Sequence, residues 1–151
     1  MKIKRVSGIN AFCVSGTMNE AEKFFRDVLG AKIGPVMLWR SQFGMRAKGA
    51  WLGTEVPCRI ELSESINDEL PAGKQHKKSA PAFQVLGLEV ENIDEATAEL
   101  RAKGVRVSDK IKTEDPAFEK QYQSWIHPKD AFGLIIELLE SSGKTPLEGE
   151  W

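Results

Sequence analysis

The sequence is poor in the side chains that most often announce chemistry. Of 151 residues, only two are histidines, His76 and His127, and two are cysteines, Cys13 and Cys58. The cysteines follow no CxxC spacing and sit in apolar, strand-like runs. They read as buried free thiols of a protein in a reducing cytoplasm. No run of eighteen apolar residues occurs, so no helical membrane span is expected. Met1–Arg5 is charged with no apolar stretch behind it, so no secretory leader is expected. Neither sign of charge dominates: 21 Lys and Arg face 22 Asp and Glu, for a net charge of -1, which argues against a general nucleic-acid binder. What is present, 41% hydrophobic and 28% charged residues, suits one globular domain with a core.

The chain repeats itself. Ile60-Glu61-Leu62-Ser63-Glu64-Ser65 and Ile136-Glu137-Leu138-Leu139-Glu140-Ser141 differ at one position in six, at an offset of 76 residues. Thr17-Met18-Asn19-Glu20-Ala21 likewise aligns with Asn92-Ile93-Asp94-Glu95-Ala96 at an offset of 75. Both open with a capping-box pattern, in which a polar side chain accepts from the free N–H groups of the first turn and a Glu reaches back. Ala21, Phe24, Phe25, Val28 and Leu29 recur at helical spacing after the first, and Ile93, Ala96 and Leu100 after the second. Gly30 and Gly104 stand where each helix should stop.

Each half therefore reads as strand, helix, then extended segments. The strand candidates are 9–15, 31–36, 47–54 and 58–63 in the first half, and 83–90, 105–111, 121–126 and 133–139 in the second. Residues 1–66 form the first module, 67–80 a polar linker, 81–141 the second module and 142–151 an irregular C-terminal tail, all within one compact domain. His76, in Lys74-Gln75-His76-Lys77-Lys78, is expected in a solvated basic loop.

Two stretches carry a family resemblance: Leu86-Gly87-Leu88-Glu89-Val90-Glu91-Asn92-Ile93-Asp94-Glu95-Ala96, and Ile126-His127-Pro128-Lys129-Asp130 running into Leu134-Ile135-Ile136-Glu137-Leu138. With the repeat, the chain resembles the vicinal oxygen chelate superfamily of glyoxalases, bleomycin-resistance proteins and extradiol dioxygenases, nearest to its methylmalonyl-CoA epimerase-like branch. The resemblance implies an α+β fold of two tandem βαβββ modules, with an eight-stranded curved mixed sheet around a cavity. It also implies a homodimer. The family's metal-ligand positions align with Asn10, Glu61, Val85 and Glu137. The carboxylates fit and the two histidines are missing; valine has no lone pair, and an amide oxygen is a weak ligand for zinc or a transition metal. No cofactor is therefore expected, and a divalent metal is disfavoured, a hard ion held by Glu61, Glu137 and waters being the remaining alternative.

Without a metal, two carboxylates remain. In strands that alternate faces, Glu61 between Ile60 and Leu62, and Glu137 between Ile136 and Leu138, face the cavity if their apolar neighbours pack on the helices. Crowding and burial would suit them as general acid and base, with Asn10 as oxyanion partner and Gln84, Gln123 or His127 as weaker candidates. Phe12, Trp39, Phe43, Trp51, Val85, Trp125 and His127 are the expected substrate-binding residues. Arg40, Arg46 and Lys48, interleaved with the aromatics of 36–51, suit a flat ligand bearing an acidic group. The leading expectation is a metal-independent isomerase, epimerase or lyase that moves a proton next to a carbonyl of an aromatic, polycyclic or CoA-linked acid. The alternative is a non-catalytic protein that sequesters a small molecule, and a third reading is a structural role with the cavity filled.

Overall fold

The computed structural model describes residues 1–53, 58–113 and 120–142, with the side chains of 38 and 39 outside the description. The tail expected over 142–151, apart from Ser142, and the strand end at Thr54 fall outside the described residues.

Ile9–Gln84 forms one compact unit. Its elements are β1 (Ile3–Phe12), α1 (Met18–Asp27), β2 (Lys32–Val36), a 3-10 turn (Leu38–Phe43), β3 (Met45–Leu52), β4 (Cys58–Ser65) and α2 (Pro71–Ser79). The strands run in the order β2-β3-β4-β1, with β1 parallel to β4 and the other pairs antiparallel. Ile60, Leu62, Cys13 and Ala50 pack with Met18, Ala21 and Phe25 of α1 on one face. The alternate residues of β4 therefore point the other way.

Met1–Gly8 belongs to the second unit, with the described residues from Val85 to Ser142. That unit holds β5 (Ala82–Val90), α3 (Ile93–Ala102), β6 (Ile111–Thr113), β7 (Lys120–Ile126) and β8 (Ile135–Ser142), in the order β5-β8-β7-β6 with β5 parallel to β8. Its core is Val90, Ile93, Ala96, Leu100, Ile126 and Leu138. The eight strands form the mixed sheet of a glyoxalase-like fold. β1 begins six residues before its expected start because its basic residues have partners: Lys4 and Arg5 donate to Glu89 at 2.6 and 2.7 Å. Burial works against the charge on Glu89, yet the hydrogen bonds from Lys4 and Arg5 hold its carboxyl below the usual range.

The repeated hexapeptide carries two glutamates with separate tasks. Glu64 accepts from the N–H groups of Gly16 (2.8 Å) and Met18 (3.2 Å), and Glu140 accepts from Ile93 N–H (2.7 Å). Each module thus caps its own helix from its last strand. Asn92 also caps α3, accepting from Asp94 and Glu95, but Thr17 makes no such bond; its hydroxyl donates to Val14 O, and the capping box expected there does not form. Glu64→Ala is expected to cost about 2–3 kcal/mol, since two N–H groups and Arg46 lose their acceptor, and Glu140→Ala about 1 kcal/mol. Urea denaturation of the two variants checks the order.

Other expectations are corrected. The polar linker contains a helix, α2, which starts at Pro71, where the missing proline N–H costs nothing. The strand expected over 105–111 reduces to one bridge, Val107 to Ile126, followed by β6. Arg106 instead turns its main-chain N–H and guanidinium to Asp130 (2.9, 2.8 and 2.6 Å), holding that carboxyl well below its usual range. Cys13 is buried, and burial pushes its thiol up, but Cys58, the first residue of β4, is exposed. Phe24, Val28 and Leu29 of the first helical stripe are also exposed, because only Ala21 and Phe25 reach the sheet.

Candidate active site

In each unit, the sheet face turned away from the helix carries a candidate glutamate, Glu61 in one and Glu137 in the other. In the first unit, Asn10 of β1 and Gly49 of β3 flank Glu61 of β4 in register. Glu61 is 1% exposed, Asn10 5% and Arg40 6%. A buried carboxylate needs a counter-charge and donors, and Glu61 has both. Arg40, from the 3-10 turn, brings Nη2 within 2.7 Å of Oε1, and Asn10 donates from Nδ2 to the same oxygen at 3.2 Å. Asn10 thereby orients Glu61 with the amide nitrogen it was expected to offer an oxyanion. Trp51 is buried, and a Cβ on Gly49 would lie 2.4 Å from its ring. The absent side chain is what lets the indole lie along β3 beside the position opposite Glu61.

Phe12, two residues beyond Asn10, is buried and stacks on His76 with ring centroids 4.3 Å apart. His76 overturns its expected place. It is fully buried in α2 and its Nε2 lies 2.7 Å from Ser63 O. The residues around it are polar, but Gly73 and His76, three apart, put one face of α2 on the protein, and a Cβ at Gly73 would meet Asn67 O at 2.0 Å. That spacing, together with Pro71, was the signal a reading by composition passes over. Desolvation pushes the His76 pKa down, outweighing its hydrogen bond to Ser63 O. The unfolded chain therefore binds the proton more readily. Stability contributed by neutral His76 is present above about pH 6.5 and falls as pH drops below it, by at most about 1.4 kcal/mol per pH unit. Urea midpoints between pH 7.5 and 5 should show this slope, and His76→Gln should flatten it.

In the second unit, Glu137 of β8 is 2% exposed and stands opposite Gly87 of β5 and Trp125 of β7. Its neighbours Ile136 and Leu138 pack on the helix side, so Glu137 points away from α3. The residue in register with this glutamate is Gly87, whereas Val85, buried on the same face, stands opposite Ile135. Gly87 is filled from the neighbouring strand: a Cβ there would lie 2.4 Å from Ser7 Oγ. Trp125 is half-buried. His127 is exposed, and its Nδ1 accepts from Lys129 N–H at 3.2 Å, which caps the turn at Pro128–Asp130. Phe43 is half-buried at the end of its 3-10 turn, and the Trp39 side chain lies outside the described residues.

Of the three cations expected near an acidic ligand, only Arg40 reaches this face. Arg46 binds Glu64 and Asn19, and Lys48 binds Glu22, all on the α1 side.

A divalent ion does not suit this donor set. The Glu61 oxygen that would coordinate it already meets a guanidinium and an amide N–H, the residue opposite Glu137 is a glycine, and no three His, Cys, Asp or Glu side chains among the described residues are grouped to hold a metal.

Comparison with known proteins places this arrangement. Mouse mitochondrial methylmalonyl-CoA epimerase is 29% identical over 123 residues, covering 80% of this chain and 65% of the mouse protein, so the match spans just under two thirds of that relative. A crystal structure of methylmalonyl-CoA epimerase from Mycobacterium tuberculosis superposes with a TM-score of 0.76 at 25% identity, over 93% of this chain and 90% of that one. A variant of the Streptomyces coelicolor epimerase in complex with 2-nitronate-propionyl-CoA shares the fold, with a TM-score of 0.79 at 21% identity, over 94% of this chain and 100% of that one. The family described as the Glyoxalase/Bleomycin resistance protein/Dioxygenase superfamily matches residues 12–119. Two βαβββ modules, a buried glutamate at the same strand position in each, and a match over most of the chain lead to one conclusion: this protein belongs to the Glyoxalase/Bleomycin resistance protein/Dioxygenase superfamily.

Proposed function

We propose that the protein is a metal-independent epimerase of a CoA-linked acid, with Glu137 and Glu61 as its proton-transferring groups. The observation that carries this reading is the burial of a carboxylate at the same strand position in each module, 1% exposed at Glu61 and 2% at Glu137. Neither packs on a helix, and burying a carboxylate costs free energy that the fold does not require. A carboxylate takes the proton next to the thioester carbonyl, the C–H electron pair passes to the carbonyl oxygen as an enolate, and a carboxylic acid returns a proton to the carbon. Phe12 and Trp51, both buried, add apolar surface to the unit that holds Glu61. The curated and solved relatives named methylmalonyl-CoA epimerase support the substrate class. A homodimer covering the exposed Phe24, Val28 and Leu29 is part of the same proposal.

The test is methylmalonyl-CoA incubated with the protein in D2O and EDTA, followed by mass spectrometry. Incorporation of deuterium at the α-carbon at an enzymatic rate is expected. A thioester that binds and returns without deuterium would instead establish sequestration.

A further inference from the structure

We propose that Arg40 takes the electrostatic place of a divalent ion in this chain, as a fixed cation beside Glu61 that receives an anionic ligand oxygen, a carboxylate or an enolate. The ligand class rests on the CoA-linked acid reading; the replacement of charge does not.

Arg40 is held by a 3-10 turn that ends at Gly44, whose φ of +80° turns the chain into β3. The guanidinium and Glu61 are both almost fully enclosed, at 7% and 1% side-chain exposure. A guanidinium is weakly hydrated, permanently charged and carries five N–H donors in one plane. It therefore tolerates burial beside Glu61 better than an ammonium would, as a fixed positive charge. Asn10 and Arg40 converge on the same oxygen, Oε1. A divalent ion brought to that oxygen would sit within a few ångström of a unit positive charge in a medium that screens poorly. Cation binding and the Arg40–Glu61 pair therefore exclude each other. Asn10 and Gly87, neither a good metal ligand, stand in register with the two glutamates.

The experiment is a Mn2+ titration followed by electron paramagnetic resonance, on the full chain and on Arg40→Gln, with circular dichroism to confirm folding. The wild-type protein is expected to bind Mn2+ no tighter than about 1 mM, and Arg40→Gln at least about tenfold tighter, because a carboxylate loses its resident cation. Adding Glu61→Gln to Arg40→Gln should abolish that gain. One Mn2+ per wild-type chain held below about 100 µM, or an Arg40→Gln protein that binds no tighter than wild type, overturns the proposal. If Arg40→Gln does not fold, the wild-type titration decides alone. Isothermal titration with malonyl-CoA, run on the same proteins, separates the two readings. Binding that falls at least about tenfold in Arg40→Gln supports an anionic ligand at Arg40. Wild-type protein that binds neither malonyl-CoA nor propionyl-CoA removes the CoA reading while the Mn2+ result still judges the replacement of charge.

Discussion

Replacing Glu137 by glutamine is expected to lower kcat/KM for α-proton exchange by about 10²–10⁴-fold, the range a positioned acid or base supplies. Glutamine has the same shape and still fills the space between the strands, so circular dichroism and the urea midpoint should stay close to wild type. It cannot accept a proton, so the loss should fall on kcat with thioester affinity kept. Glu61→Gln is the less direct test, because Glu61 is ion-paired with Arg40 and its loss would mix a chemical effect with a change in the charge balance around that guanidinium. Deuterium incorporation from D2O, measured beside thioester affinity, checks the outcome. Unchanged turnover in folded Glu137→Gln would end the proton-transfer reading of this residue.

Truncation of Arg40 is expected to produce the largest loss of stability from one substitution. Arg40→Ala leaves Glu61 at 1% exposure without the guanidinium beside it, while Asn10 still donates to its Oε1. Breaking a buried pair in this way typically costs about 3–5 kcal/mol. Against a total stability of about 5–15 kcal/mol, that brings the protein near its unfolding threshold. The pair itself contributes much less, since its Coulombic attraction is offset by the desolvation of both ions. Arg40→Met with Glu61→Leu is therefore expected to be close to neutral for stability, although it removes the site. A double-mutant cycle by urea denaturation measures the coupling. Additive effects of the two single substitutions would show that the two groups do not share their burial.

How much of this was legible beforehand depended on the range of the signal. Periods of two and 3.6 residues are local, so β2, β3, β4, β5, β7 and β8, with α1 and α3, stand within a few residues of their expected places. The 76-residue repeat exposed the two glutamates, and the alternation of Ile, Glu and Leu correctly turned them away from the helices. Local pattern failed where a partner came from far along the chain. Thr17 looked like a helix cap, but Glu64 lies 46 residues from Met18 and reaches its N–H first. His76 looked solvated among lysines, yet one face of a short helix carries it against Phe12, 64 residues earlier. Arg40, Arg46 and Lys48 were indistinguishable as a basic stretch, and only the turn before β3 and the alternation within β3 send one to Glu61 and two to the α1 side.

The sequence by itself therefore determined the βαβββ repeat, the alternation that buries Glu61 and Glu137, and the scarcity of imidazole. Hydrophobic period and residue inventory need no third dimension. Tertiary structure alone decided the register that sets Gly87, not Val85, opposite Glu137, and the burial of His76. It alone also chose Arg40 as the partner of Glu61. These depend on which strand lies beside which and on where a turn delivers a long side chain, distances of a few ångström between residues that the chain keeps far apart.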